Sequence, residues 1–248
     1  MVAIGNGVNQ FFPVVPNGSL LQQQPVIVKV GLPLGTFWGY KTNGIFQTQE
    51  EVNTQPKINS LANTKVGDRR YVDTNGDGVI TALDKGNLGS SQPKFVASFS
   101  NTISYHDFDL NFSFQGSYGG KVFNALNQQL EISTLGTNAN VTLDDRWTPA
   151  NPSNEVPRAT SSPLGIVSER YIEDASFLRL KNVSIGYTVK ESWLNGKAKL
   201  RFFISGQNLF TITKYSGLDP EVGLRNFGMD LGKYPLSRIY MTGVNATF

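Results

Sequence analysis

From Phe95 onward, apolar and polar residues alternate along the chain with a period of two. In the clearest stretch, residues 107–118, Phe108, Leu110, Phe112, Phe114 and Tyr118 share one phase, and Asp109, Asn111, Ser113, Gln115 and Ser117 share the other. Successive side chains of a strand point to opposite faces, so one face of this strand meets an apolar medium and the other meets water. Residues 95–105 repeat the pattern, with Phe95, Ala97, Phe99, Ile103 and Tyr105 set against Val96, Ser98, Ser100, Thr102 and Ser104. Only His106 and Asp107 separate the two runs, which predicts a tight hairpin. Three further strands are predicted over 177–190, 198–210 and 236–248. In the first of them Val183, Ile185, Tyr187 and Val189 share a phase that Leu178 and Leu180 oppose, so a bulge or a switch of environment is expected near Asn182. The second sets Leu200, Phe202 and Ile204 against Lys199, Arg201, Phe203 and Ser205, and the third keeps Tyr240, Thr242, Val244, Ala246 and Phe248 in phase.

The joins between these five strands run short, long, short, long: His106-Asp107, then 119–176, then Glu191–Lys197, then 211–235. Outer-membrane barrels have short periplasmic turns and long external loops. With the two short joins on the periplasmic side, the fifth strand runs inward and ends there, as a barrel's C-terminus does. The fold class expected is therefore all-β, an antiparallel transmembrane β-barrel. The competing reading is a secreted, calcium-stabilised β-sandwich that binds glycans or mediates adhesion, because a sandwich alternates for the same reason. Against it, the strands are about twice the five or six residues usual in soluble sheets, and two joins are longer than sandwich loops. Two regions are expected: 1–94, with short strands and an external loop, and 95–248, with the barrel strands and long external loops. Within the first, 26–30 and 36–46 flank a turn at Pro33-Leu34-Gly35; they either span the membrane or form a hairpin above it.

Composition fits a β-rich protein with much half-exposed surface. Charged residues make up 17% of the 248, below the ~25% of soluble domains, whereas Phe and Gly are abundant. A net charge of +3 without a Lys/Arg run gives no footprint for nucleic acid. The chain has no cysteine, which removes disulfides, thiolate metal sites and thiol nucleophiles together. Residues 1–10 show no basic segment followed by an apolar one. An outer-membrane protein needs such a leader, so the natural N-terminus is expected upstream.

One stretch carries metal chemistry. Asp73-Thr-Asn-Gly-Asp-Gly-Val-Ile-Thr-Ala-Leu-Asp84 places oxygens at the first, third, fifth and twelfth positions of an EF-hand-type loop, with Gly78 at the sharp turn. Asp73, Asn75 and Asp77 would ligate Ca²⁺ through side chains, Val79 through its carbonyl, and Asp84 from the far end, in a structural role. Asp replaces the usual long Glu at the last position and the flanks are not helical in pattern, so the other reading is a turn capped by its own Asp and Asn side chains. The carboxylate pairs Asp144-Asp145, Glu173-Asp174 and Glu50-Glu51 are neighbours on the chain whose side chains point apart, which suits solvated charges rather than a glycosidase pair. His106, the sole histidine, falls in the two-residue turn, and Gly119-Gly120 lacks the Lys-Ser/Thr of a phosphate loop. No enzyme is expected.

Several motifs together resemble one family. Gly31-Leu-Pro-Leu-Gly-Thr-Phe-Trp-Gly-Tyr-Lys-Thr-Asn-Gly-Ile-Phe-Gln47, Gly67-Asp-Arg-Arg-Tyr-Val-Asp-Thr-Asn-Gly-Asp-Gly-Val-Ile80 and residues 92–105 come first. They are followed by residues 108–119, Arg146-Trp147-Thr-Pro, residues 174–187, Ser205-Gly-Gln-Asn-Leu-Phe-Thr211, Tyr215-Ser-Gly-Leu-Asp-Pro-Glu221 and the terminal aromatic Phe248. In this order they resemble the C-terminal part of SusC/RagA-type TonB-dependent outer-membrane transporters. The resemblance implies a barrel of about 22 strands around an N-terminal plug, and import of oligosaccharides or peptides. It implies coupling to the TonB complex through a part that this chain does not contain, and a SusD-like surface lipoprotein as partner. Loops 47–94, 119–175 and 211–235 would then be external, and Asn111, Ser113, Gln115, Lys199 and Arg201 would line the lumen. Trp147 and Tyr215 would either stack on sugar rings or pack the loops from within. The strands at hand are too few to close such a barrel, and their edges would stay unpaired in lipid.

Overall fold

The computed structural model describes residues 24–58, 63–131, 139–159, 165–190, 198–222 and 226–247. In chain order it contains strands β1 (Val26–Ile27), β2 (Thr36–Gly39) and β3 (Thr42–Ile45), helix α1 (Gln49–Thr54), β4 (Arg69–Tyr71), β5 (Gly86–Ser90), β6 (Phe95–Tyr105) and β7 (Phe108–Tyr118). Then follow β8 (Lys121–Asn124), helix α2 (Ala125–Glu131), β9 (Ile172–Asp174), β10 (Phe177–Thr188), β11 (Lys199–Thr213), β12 (Met229–Asp230) and β13 (Ile239–Thr247). The chain divides into two units, one from 1–92, 121–173 and 222–233, the other from 93–120, 174–221 and 234–248.

The second unit is a single antiparallel sheet in the order β13-β11-β10-β7-β6. The predicted strands are here, with ends shifted by a few residues. His106 turns the β6–β7 hairpin at φ +52°, in the left-handed region that His tolerates better than most residues. Phe99 faces Phe114, Leu110 faces Ile185, and Ile185 faces Ile204, so directly opposed residues carry one apolar face across the sheet. That face holds Phe95, Phe99, Ile103, Phe108, Ile185, Phe202, Ile204, Phe210 and Val244, all exposed. Its rings touch one another: Phe95 on Tyr118 at 5.4 Å, Phe108 on Tyr187 at 4.9 Å, Phe99 on Phe112 at 5.9 Å. The opposite face carries Ser98, Ser100, Thr102, Asn111, Ser113, Gln115, Ser184, Ser205 and Arg201. No second sheet covers either face among the described residues of this unit. A sandwich would bury one of them.

The bulge falls where the phase change requires it. Both neighbours of β10 lose register between Leu180 and Asn182. The extra residue, Lys181, returns Leu178 and Leu180 to the side of Val183, Ile185 and Tyr187, because Leu180 pairs with Phe114 and Val183 with Phe112. Opposite the bulge, Asn208 adopts φ +52°.

The first unit is a small α+β body with its own core. β1-β2-β5, β3-β4 and β12-β8-β9 form three short sheets. Phe37, Phe123, Val26, Val167 and Met229 pack into one buried cluster, and Tyr40, Ile58, Ile80 and Ile166 into a second. Residues 26–46, left open between a membrane span and a hairpin, are short paired strands in this body: Val26 pairs with Phe37, and Thr36–Phe46 is interrupted at Tyr40-Lys41. The division expected near residue 94 marks the entry into the long sheet. Segments 121–173 and 222–233, expected as loops of the second region, instead join the first, because Phe123 and Met229 complete its core. The short join 191–197 and the terminal Phe248 lie outside the described residues.

Deleting Lys181 would remove the bulge and throw either Leu178 and Leu180, or Val183 and Ile185, onto the polar face. The expected outcome is loss of the folded, heat-modifiable form on a gel, whereas deleting a residue from the 139–159 segment leaves that form in place.

Candidate functional site

Two features carry chemistry: the polar face of the long sheet, and the acidic loop of the compact unit. On the sheet, Arg201 of β11 reaches across β10 to Asp109 of β7, with Nε donating to Oδ1 at 2.8 Å and Nη2 to Oδ2 at 2.5 Å. The intervening residue is Gly186, where an added Cβ would meet both charged groups. A glycine here lets a bidentate pair span three strands. Asn111 donates to Asp109 at 3.2 Å and accepts from the Thr102 hydroxyl at 2.6 Å, so the polar ladder extends to β6. Asn182 donates to Ser113 at 3.3 Å. Ser100, Thr102, Asn111, Ser113, Asn182 and Ser184 line a shallow groove of about 310 Å³ on this face. Of the residues expected on the wet side, Asn111, Ser113, Gln115, Lys199 and Arg201 all lie on it.

At one end of the same sheet is a buried ion cluster that the alternation did not announce. Arg179, 3% exposed, donates to Thr211 Oγ1 at 2.9 Å, to Glu221 Oε2 at 2.9 Å and to Asp219 Oδ1 at 2.7 Å, and stacks over Phe177. Burial pushes the Asp219 carboxyl up, but the Glu221 amide and Arg179 outweigh it and hold it below the usual carboxylate range. Arg179 and Asp219 each stand in a family motif, yet they are 40 positions apart, and no local pattern pairs them. Tyr215 is buried, with Gly217 against its ring, and Trp147 is half-buried, with Nε1 donating to Gln47 at 2.9 Å. Both pack their loops from within.

In the compact unit, the loop 73–84 is built from amide-capped carboxylates. Asp73 accepts from the amides of Gly76 and Gly78, both at 2.7 Å; Asn75 accepts from Asp77, and Asp77 from Val79. Gly76 and Gly78 have φ +77° and +84°, which the tight turn requires. Asp84 behaves differently. It is 1% exposed, with Oδ1 accepting from the amides of Thr74 and Asn75 and Oδ2 from that of Thr81. Its carboxylate stitches both ends of the loop and closes a capping box with Thr81. Among the described residues no three Asp, Glu, His or Cys side chains converge as a metal cluster. Asn75 and Asp77 are exposed and Asp73 is half-buried, and their oxygens are of the kind that suits a hard cation. The remaining carboxylates hold the chain: Glu51 accepts from the Gln47 amide, Glu173 from Asn124, and Asp174 from Ser176, while Asp144 and Asp145 are exposed.

No protein-family model matches the chain. It is 34% identical over 259 residues to TonB-dependent receptor P3 of Formosa agariphila, an alignment that takes in 100% of this chain and 25% of that protein. It is 29% identical over 215 residues to TonB-dependent receptor SusC of Bacteroides thetaiotaomicron, covering 85% of this chain and 20% of the relative. The RagAB peptide importer in its open-open state superposes with a TM-score of 0.71 at 25% identity, over 99% of this chain and 25% of that one. The chain thus spans about a quarter of the length of these relatives.

Burial pushes the Asp84 carboxyl up, and the amides of Thr81, Thr74 and Asn75 together overcome it, so the folded group titrates below its ordinary value. A depressed value stabilises the loop fully above the unfolded pKa of ~4 and ceases to do so as pH falls through the lowered one. Asp84→Asn puts an amide against N–H donors and should cost about 1–3 kcal/mol. Hydrogen exchange at Thr74, Asn75 and Thr81 at pH 7 is the measurement, with faster exchange expected in the variant.

Proposed function

The chain belongs to the SusC/RagA-type TonB-dependent receptors of the outer membrane, and on that premise we propose that it forms wall and external structure of an importer of oligosaccharides or peptides. The observation that carries the reading is the single-layer sheet, apolar on one exposed face and polar on the other. Such a sheet is stable where lipid covers the first face and water the second. At about 3.3 Å per residue and a tilt near 45°, strands of this length cross roughly 25 Å, the height of an outer-membrane apolar band. Tyr105, Phe108, Tyr187 and Phe202 stand at one end of the apolar face, and Phe95 and Tyr118 at the other, as two interfacial girdles do. The polar face, with the Asp109–Arg201 pair charge-compensated, lines the solute path. A SusD-like surface lipoprotein serves as the partner outside, and the TonB complex supplies energy to the whole receptor.

The acidic loop fits into this reading as a calcium-ordered element of the external structure. Asp73, Asn75, Asp77 and the Val79 carbonyl hold the ion, which supplies positive charge between two carboxylates; Asp84 keeps its amide contacts and shapes the loop. The support is the exposure of Asn75 and Asp77, beside the half-buried Asp73, on a glycine-tightened turn.

Adjacent residues near mid-strand test the wall. Phe112→Arg places a cation in the apolar band and should destabilise the folded receptor by about 2–4 kcal/mol, whereas Ser113→Arg points to the water-filled side and leaves stability within ~1 kcal/mol. Equal costs in detergent or lipid unfolding titrations would contradict the orientation. For the metal, calorimetric titration with Ca²⁺ should give a saturable isotherm that Asp73→Ala abolishes; flat traces for both would remove the ion.

A further inference from the structure

Among the described residues β13 is hydrogen-bonded on one side only, to β11. Its residues pair as Ser205 with Met241, Phe203 with Gly243 and Arg201 with Asn245. Alternation cannot choose this register, because a slip of two residues, about 7 Å, returns every side chain to its own face. The strand Ile-Tyr-Met-Thr-Gly-Val-Asn-Ala-Thr has two local side-chain contacts with β11: the Phe203 ring lies over Gly243, where a Cβ would come within 2.8 Å of it, and the Thr242 hydroxyl donates to the Phe203 carbonyl at 3.2 Å. Something else must fix the point at which β13 begins.

Two contacts tie that point down. The Leu236 amide donates to Asp219 Oδ2 at 3.4 Å, and Asn208 Nδ2 donates to the Ser237 carbonyl at 3.2 Å. Asp219 is itself held through Oδ1 by the Glu221 amide and by Arg179, which rises from β10 and also binds Thr211 of β11. The guanidinium thus connects two strands whose mutual register is fixed to the segment that leads into a third.

We infer that the buried Arg179–Asp219 pair is the device that sets the register of β13 on β11, acting through the Leu236 amide. Arg179 is a positioning residue here. Without it, Asp219 is left as a buried, unpaired charge, which costs more than the pair contributes when intact. The segment carrying Asp219 then moves toward water, and the anchor of Leu236 goes with it. This role of Arg179 is independent of what the receptor transports.

Disulfide trapping in the full-length receptor in outer membranes is a direct test, and these 248 residues add no competing thiol. Ser205→Cys with Met241→Cys reports the native register; Ser205→Cys with Ile239→Cys, and Gln207→Cys with Met241→Cys, report slips of two residues in either direction. In the parent background only the first pair should cross-link. Adding Arg179→Met should lower its yield about ten-fold and raise one of the slipped pairs, a transfer that general loosening would not produce. Native yield unchanged, or lowered with neither slipped pair gaining, overturns the inference and leaves the Phe203–Gly243 and Thr242–Phe203 contacts to fix the register. If Arg179→Met does not assemble, two other variants decide the question: Asp219→Asn, which keeps the shape, and Leu236→Pro, which removes the amide donor and fixes φ at that position. Transfer to a slipped pair in both supports the device, and native cross-linking in both overturns it.

Discussion

A backbone that crosses lipid must satisfy its own amides and carbonyls, and everything in the long sheet follows from that constraint. Pairing strand to strand meets it within the sheet, and a single layer then presents two faces to two different solvents. The side chains sort accordingly: Phe99, Phe114 and Ile185 to one side, Ser100, Ser113 and Ser184 to the other. In a soluble protein a second layer would cover the apolar side, and its cost would be offset by burial. Here the rings remain exposed and touch one another in ranks across the strands. The outer edges of β6 and β13, unpaired among the described residues, belong to the same logic, since a barrel wall has no free edge in lipid.

Departures from regular alternation are where the sheet acquires specificity. Lys181 bulges so that the two halves of β10 face the same way. Gly186 leaves room for Arg201 to reach Asp109 over an intervening strand. Arg179, on the polar side of the same strand, draws in Asp219 and Glu221 from the connection that follows β11. Each is a local exception that a neighbouring strand requires. β10 lies between β7 and β11, which is why three such exceptions gather on it.

The compact unit obeys a different rule. Its core closes only when Phe37, Phe123 and Met229, from three separate stretches of chain, meet. Its strands are short, and its acidic loop is organised by amides gathered onto Asp73 and Asp84. The EF-hand-like spacing is visible as residues, but the inward turn of Asp84 onto Thr74, Asn75 and Thr81 separates it from the other three side chains. A capping role and a ligand role use the same oxygens, and only the path of the chain after Val79 decides between them.

The amino-acid order by itself determined the long strands, their hairpin at His106, the phase change near Asn182 and the polar set from Asn111 to Arg201, because a period of two is a local property that solvent on each face writes directly into the residues. It also carried the family motifs, and through them the outer-membrane setting. Only the tertiary structure decided that 26–46 belongs to a compact body, that Trp147 and Tyr215 pack inward, and that Arg179 meets Asp219. Those outcomes depend on contacts between residues far apart in the chain, and neither composition nor periodicity records which distant partner a buried side chain will find.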